Sequence, residues 1–180
     1  MMNTIKVKEM NRVMKEHKIV YQFPSSDTCF GCNDGPAEGT GVRAFLTEDG
    51  YVVCKTKTKE CHQGFPYVTH GGILSTYFDE VLWFATLVED PNVSAMTVEM
   101  DIKYRKPVPT GTEIRIIAKP AVIEGRHYHV EGYILLPDGE VAVTAKTHYI
   151  ALKNDNEHAN DEHIRDRRVI KDFQMKSIEF

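Results

Sequence analysis

The spacing of apolar positions changes period along this chain, and the changes mark its elements. From Ile73 to Val88 there is no Gly or Pro. Ile73, Leu74, Tyr77, Phe78, Val81, Leu82, Trp83, Phe84, Ala85, Leu87 and Val88 occupy nearly the whole circumference at helical spacing. A helix apolar almost all round is a buried helix. At about 1.5 Å per residue it is about 24 Å long, short for a membrane crossing and right for the middle of a domain. Two carboxylates, Asp79 and Glu80, interrupt the apolar run. Charges are seldom buried without a partner or a task.

Around this helix the period falls to two. Residues 42–46 and 51–56 flank Glu48-Asp49-Gly50, a strong hairpin signal. After Asp90-Pro91-Asn92, residues 94–104 alternate, with Met96, Val98, Met100, Ile102 and Tyr104 expected on one face. Residues 113–121, 126–136 and 141–151 read as further strands, and Pro137-Asp138-Gly139 as a tight turn joining the last two. The order strand-strand-helix-four strands predicts an α+β domain, with one long helix against an antiparallel sheet.

The ends differ. Residues 3–18 predict a short amphipathic helix striped by Ile5, Val7, Met10, Val13 and Met14. Residues 22–41, with Pro24, Pro36 and four glycines, predict a loop. Residues 153–180 carry dense charge of both signs and predict an appended helix or a partly disordered tail, with no chemistry of its own. The chain thus divides into 1–28 (helix and linker), 29–152 (main domain) and 153–180 (charged extension).

Composition narrows the function. With 22 basic and 26 acidic residues the net charge is −4, which leaves no basic footprint for nucleic acid. Residues 1–20 are studded with charge, so a signal or membrane segment is not expected; the expectation is a cytoplasmic protein with no membrane partner. The four cysteines then read as thiols. Cys29-Phe30-Gly31-Cys32 could be half a zinc site, completed by Cys54, Cys61 and His62. The second half lacks a tight pair, and a turn with two small buried thiols is preferred, with no metal and no cofactor expected.

Gln63-Gly64-Phe65-Pro66, then His70-Gly71-Gly72 opening the helix, then Asp79-Glu80, together with the strand Thr97 to Tyr104 and its continuation Arg105-Lys106-Pro107-Val108-Pro109, carry a resemblance. Both segments, in this order of elements, resemble the hotdog-fold acyl-CoA thioesterases, and among them the phenylacetate-type subfamily. The loop Cys29 to Cys32 is similar to the entry segment of many members. The resemblance covers about residues 29–151. It implies an antiparallel sheet wrapped around one long central helix, and a homo-oligomer, dimer or dimer of dimers, acting on acyl-CoA or an acyl-carrier-protein thioester.

The residues suit that chemistry. A helix N-terminus presents unpaired N–H groups and the positive end of a dipole, and glycines let a ligand come close. Gly72 N–H is the expected oxyanion donor, with Gly71 beside it and His70 fixing the loop, contacting the thioester or simply capping the helix. Asp79 is the expected nucleophile or general base. It lies about 10.5 Å along the helix from Gly72, beyond the contacts of about 3–3.5 Å that one reacting carbon allows. Two helices packed antiparallel about a twofold axis would bring the Asp of one chain to the helix start of the other. Glu80 lies about 100° further round, so the two acids cannot share a role, and the family motif selects Asp79.

The resemblance also implies that Thr97 helps hold the attacking water. Some members have Asn six residues before the HGG histidine, where this chain has Gly64; Gln63 is the substitute candidate. Arg105 and Lys106, with Lys103 and Arg126, could meet phosphates of coenzyme A, or be a solvated strand end. Tyr77, Phe78 and Trp83 could line an acyl pocket or be plain core. Two other classes stay open: a non-catalytic acyl-CoA-binding hotdog serving as sensor or assembly module, and a hydratase, for which the acid–histidine spacing is missing.

Overall fold

A computed structural model describes residues 14–26, 28–33, 39–153 and 173–180. Among these residues, nine strands form one antiparallel sheet around a single long helix. In chain order they are β1 (Glu16–Gln22), β2 (Phe45–Thr47), β3 (Val52–Lys57), helices α1 (Gly71–Phe84) and α2 (Thr86–Glu89), then β4 (Ala95–Tyr104), β5 (Glu113–Ala118), β6 (Val122–Glu124), β7 (His127–Leu135), β8 (Val141–Ala151) and β9 (Ser177–Glu179). The spatial order is β4-β8-β7-β5-β3-β2-β1-β9, with β6 on β7. This is the expected α+β arrangement of a hotdog, the sheet being the bun.

The turns are where composition placed them. Gly50 between β2 and β3 and Gly139 between β7 and β8 both have positive φ, 86° and 83°, which a residue with a side chain adopts poorly. The expected strand 113–121 ends early because Pro120 has no N–H for the ladder; β5 stops at Ala118 and β6 restarts beyond it on the same neighbour.

Helix α1 buries Leu74, Tyr77, Phe78, Val81, Leu82 and Phe84 against the concave sheet face. The expected run to Val88 breaks at Ala85, whose N–H goes to Leu82 O at 3.2 Å, and α2 follows. The sheet makes room under the helix with a row of small residues: Ala118, Gly132 and Ala145 are register partners across β5, β7 and β8. A Cβ on Gly132 would lie 2.6 Å from Leu82 Cδ1, so the helix seats almost on the backbone of β7.

The ends correct the sequence expectations. Residues 1–13 and 154–172, including most of the expected N-terminal helix and charged extension, lie outside the described residues. Glu16–Lys18, expected as the end of a helix, belong to strand β1 instead. They pair with Ser177–Glu179, from what was expected to be the extension. Ile19, Phe45, Val53, Ile117, Leu135 and Ile178 form a second apolar cluster, packed by Phe173, Met175 and Phe180. Buried Arg115 ties this end together by donating to the carbonyls of Glu179 (2.9 Å), Leu136 (3.2 Å) and Pro137 (2.9 Å).

Candidate functional site

The start of α1 is built around one imidazole. His70 has extended backbone and is the N-cap of α1; its Nδ1 accepts Gly72 N–H at 2.9 Å. With Nδ1 accepting, the proton of the neutral ring sits on Nε2. Glycines flank the ring because it leaves no space. A Cβ on Gly72 would lie 3.0 Å from His70 Nδ1, and one on Gly64 would lie 3.1 Å from His70 Cδ2. That contact gives a physical reason for Gly at position 64, where some relatives in the resemblance have Asn.

The preceding loop is fixed by Gln63, whose Oε1 accepts Tyr67 N–H at 2.8 Å, and Tyr67 has φ 63°. Gln63 therefore serves the turn. On the other side, Tyr104 Oη donates to Gly71 O at 3.0 Å and meets Ser75 Oγ at 2.8 Å. Tyr104 and Ser75 position the first helical turn, and the motif reading missed both. Arg105 and Lys106 follow Tyr104 directly, so the basic pair stands near the helix start. Lys106 is paired with Glu140, and Arg105 N–H donates to Ala142 O.

Two helical turns along, Asp79 is exposed on α1, and its Oδ1 accepts from Thr97 Oγ1 at 2.7 Å. A bulge makes this contact. In the β4–β8 register Thr97 faces Tyr149 and Glu99 faces His148, leaving Val98 as an extra residue. The bulge reverses the alternation, so Thr97 looks toward the helix along with Met100 and Ile102, which pack on the core. The expected single face of Met96, Val98, Met100, Ile102 and Tyr104 is therefore split; Met96 and Val98 are 54% and 53% exposed. Within one chain the His70–Gly72 and Asp79–Thr97 groups stay separated along α1.

Glu80 turns the other way. Its carboxylate lies against the loop at Cys29 and Cys32, with Cys29 Sγ 3.4 Å from Oε2. Burial, then the neighbouring Cys29, push Glu80 up to about 8. The hydrogen bond between the two thiols lowers Cys29 and raises Cys32. Cys54, Cys61 and His62 do not complete the cysteine pair as the zinc reading required. Among the described residues the group of potential ligands within 4.8 Å is Cys29, Cys32 and Glu80. Cys54 is fully buried in β3, which pushes its thiol up to about 12, and Cys61 is exposed. Tyr77 and Phe78 are fully buried core, while Trp83 Nε1 donates to Ala95 O at 2.8 Å.

Residues 68–143, from the loop before α1 through the start of β8, match the thioesterase superfamily model. That match spans less than half of the chain. Human acyl-coenzyme A thioesterase 13 is 32% identical over 69 residues, which is 38% of this chain and 49% of that protein. The chain thus spans about half the length of the curated relative it matches. A zebrafish thioesterase superfamily member 2 structure superposes with TM-score 0.56 at 24% identity, covering 67% of this chain and 89% of that one. A hypothetical thioesterase from Streptococcus pneumoniae, solved with coenzyme A, superposes with TM-score 0.51 at 23% identity, covering 58% and 80%. At these identities the solved structures establish the hotdog fold. No helix among the described residues is long and apolar enough to cross a membrane.

Proposed function

We propose that this protein is an acyl-CoA thioesterase whose sites are shared between two chains. The observation that carries the reading is the Asp79–Thr97 hydrogen bond of 2.7 Å, set on the exposed side of an otherwise buried helix. An acid kept in water, oriented by a hydroxyl and placed beside an open strand edge, suits activation of a water or direct attack on a thioester carbon. The opposite pole is the first turn of the partner's α1, where Gly71 and Gly72 supply N–H groups for the developing oxyanion. Gly72 N–H is held by His70 Nδ1 in the resting arrangement. A substrate oxygen replaces that acceptor, or accepts a hydrogen bond from Nε2–H of His70, which faces away from the cap. Arg105 is the cation of the basic pair without an ion pair among the described residues, and it would meet the CoA phosphates with Lys106.

The shared site needs a twofold pairing. Strand β4 ends the sheet and leaves Met96 and Val98 exposed on a ten-residue edge, the kind of edge that a second copy covers. Self-pairing of β4 sets two α1 helices antiparallel on one continuous sheet.

The second reading, an acyl-CoA-binding module without turnover, is favoured by one fact: His70 already occupies Gly72 N–H. Thiol release from short, long and aromatic acyl-CoAs, wild type against Asp79→Asn, decides between them. A folded, dimeric Asp79→Asn protein slowed about a hundredfold or more supports the enzyme with Asp79 at its centre. Binding without turnover in wild type supports the module. Equal turnover by both proteins keeps the enzyme and removes Asp79 from it.

A further inference from the structure

We propose that Cys29, Cys32 and Glu80 form a zinc site that clamps the entry loop to α1. The three donor atoms lie within 4.8 Å of one another. Tetrahedral zinc with Zn–S bonds of about 2.3 Å sets two sulfurs about 3.8 Å apart, so the cluster closes on an ion with shifts of about 1 Å. Two thiolates and a carboxylate are a borderline-soft donor set that suits zinc, and three protein ligands leave the fourth position to water.

Each sulfur accepts a backbone amide. Ser26 N–H points at Cys32 Sγ at 3.3 Å, and Cys32 N–H at Cys29 Sγ at 3.4 Å. Such amide contacts orient ligating sulfurs and favour the thiolate. The turn itself is fixed from behind: Thr40 N–H donates to Phe30 O at 2.8 Å, Val42 N–H to Gly31 O at 2.9 Å, and Arg43 to Cys32 O. Gly31 is where the loop meets the carboxylate. A Cβ there would sit 2.2 Å from Glu80 Oε2, so the carboxylate takes its present position because this residue has no side chain. Glu80 is partly enclosed against this loop, and a divalent cation would balance its charge beside the two sulfurs.

The site lies apart from the Asp79–Thr97 contact, since Glu80 faces the loop and Asp79 faces β4, and it does not depend on the thioesterase reading. Its place in the fold makes it a structural clamp: it holds the loop before β2 on the helix.

Metal analysis of the reduced full-length protein tests it, followed by titration of metal-stripped protein with Co²⁺ under argon. The expected result is about one zinc per chain, and with cobalt a thiolate charge-transfer band and intense visible bands of a tetrahedral ion. Cys29→Ser and Cys32→Ser should abolish the charge-transfer intensity, Glu80→Gln should weaken cobalt binding at least about tenfold, and Cys61→Ser should change nothing. Failure of folded, fully reduced wild type to take up zinc or cobalt would overturn the proposal, whatever the variants do. So would a cobalt spectrum that survives the Cys29→Ser/Cys32→Ser double variant, or isolation of the native pair as a disulfide that binds no metal once reduced.

Discussion

Replacing Gly132 by Ala tests how closely α1 seats on the sheet. The added methyl would lie 2.6 Å from Leu82 Cδ1, 3.3 Å from Leu82 Cγ and 2.7 Å from the backbone oxygen of Ile117. Carbon contacts are comfortable at about 3.5–4.0 Å, so the approach to Leu82 Cδ1 is short by about 1 Å. Leu82 is fully buried among close-packed neighbours and has little room to turn aside. The Ile117 oxygen belongs to β5 and moves only with its strand. Overpacking of this kind costs about 1–3 kcal/mol. For a chain of this size that is a fall of about 2–12 °C in melting temperature. Leu82→Ala alone leaves a cavity and costs about 2–5 kcal/mol. Because the new methyl would fill part of that cavity, the double variant should be less unstable than the sum by about 0.5–3 kcal/mol. Calorimetry or urea unfolding of the three variants gives the cycle. A Gly132→Ala protein melting within about 1 °C of wild type, or a strictly additive cycle, would refute the seating described here.

Other outcomes follow from other contacts. Thr97→Val should lower kcat/KM on a cleaved acyl-CoA about tenfold by leaving Asp79 unoriented, while Thr97→Ser keeps most of it; steady-state assays separate the two. Val98→Lys in the bulge of β4 should shift the protein toward monomer in light scattering and reduce turnover with it, if the site is shared between two chains as proposed. Arg115→Met removes a donor from the carbonyls of Glu179, Leu136 and Pro137, of which Leu136 keeps Gly139 N–H; the cost is about 1–3 kcal/mol for each one left buried and unpaired, and faster amide exchange in residues 173–180 would report it. Burial raises Asp49, but hydrogen bonds from the Thr47 hydroxyl and His17 outweigh it and hold the carboxyl below its usual range. A depressed carboxylate stabilises the fold fully above its unfolded value of about 3.9 and loses that contribution as pH falls through the lower folded value. Asp49→Asn should therefore flatten the acid limb of a urea-midpoint profile below about pH 4, with little change in its slope at neutral pH.

The parts of the fold written in local periodicity were legible. The helix, the Glu48-Asp49-Gly50 and Pro137-Asp138-Gly139 turns and the long strands each announce themselves within a dozen residues. Strand β1 did not, because its lysines and glutamate read as a helical surface and its partner β9 lies more than 150 positions away. Ile19-Val20-Tyr21, a β-branched and aromatic run, was the signal available. The β4 bulge was hidden for a different reason: the apolar alternation continues unbroken through Val98, and only the pairing with β8 shows that the chain slips there. The Thr97–Asp79 contact depends on that slip, so the motif named the residues and could not supply the geometry. The cysteine pair shows a third limit. Completion was sought among other cysteines and histidine, whereas the fold brings Glu80, 51 positions from Cys29. Its signal was the second carboxylate in an apolar helix, once Asp79 had taken the other.

The pairing of β1 with β9 also bears on how many copies can join. Lys15 and Phe180 exchange backbone hydrogen bonds, each 3.1 Å, so the last strand is laced tightly over the margin that β1 would otherwise present. Among the described residues the sheet has a long margin at β4 and, at the far side, a three-residue strand carrying Ser177 and Glu179 that covers Glu16–Lys18 of β1. Short and charged margins recruit further strands poorly. A sheet with two equal long margins could grow head to tail without end, whereas this one, once two β4 strands have met, presents only stubs. If two chains join through β4 as proposed, further growth by strand addition is disfavoured, and a larger assembly would form through faces. Trimming the chain before residue 173 would uncover β1 and should turn a finite particle into one that polymerises, a change that sedimentation would register at once.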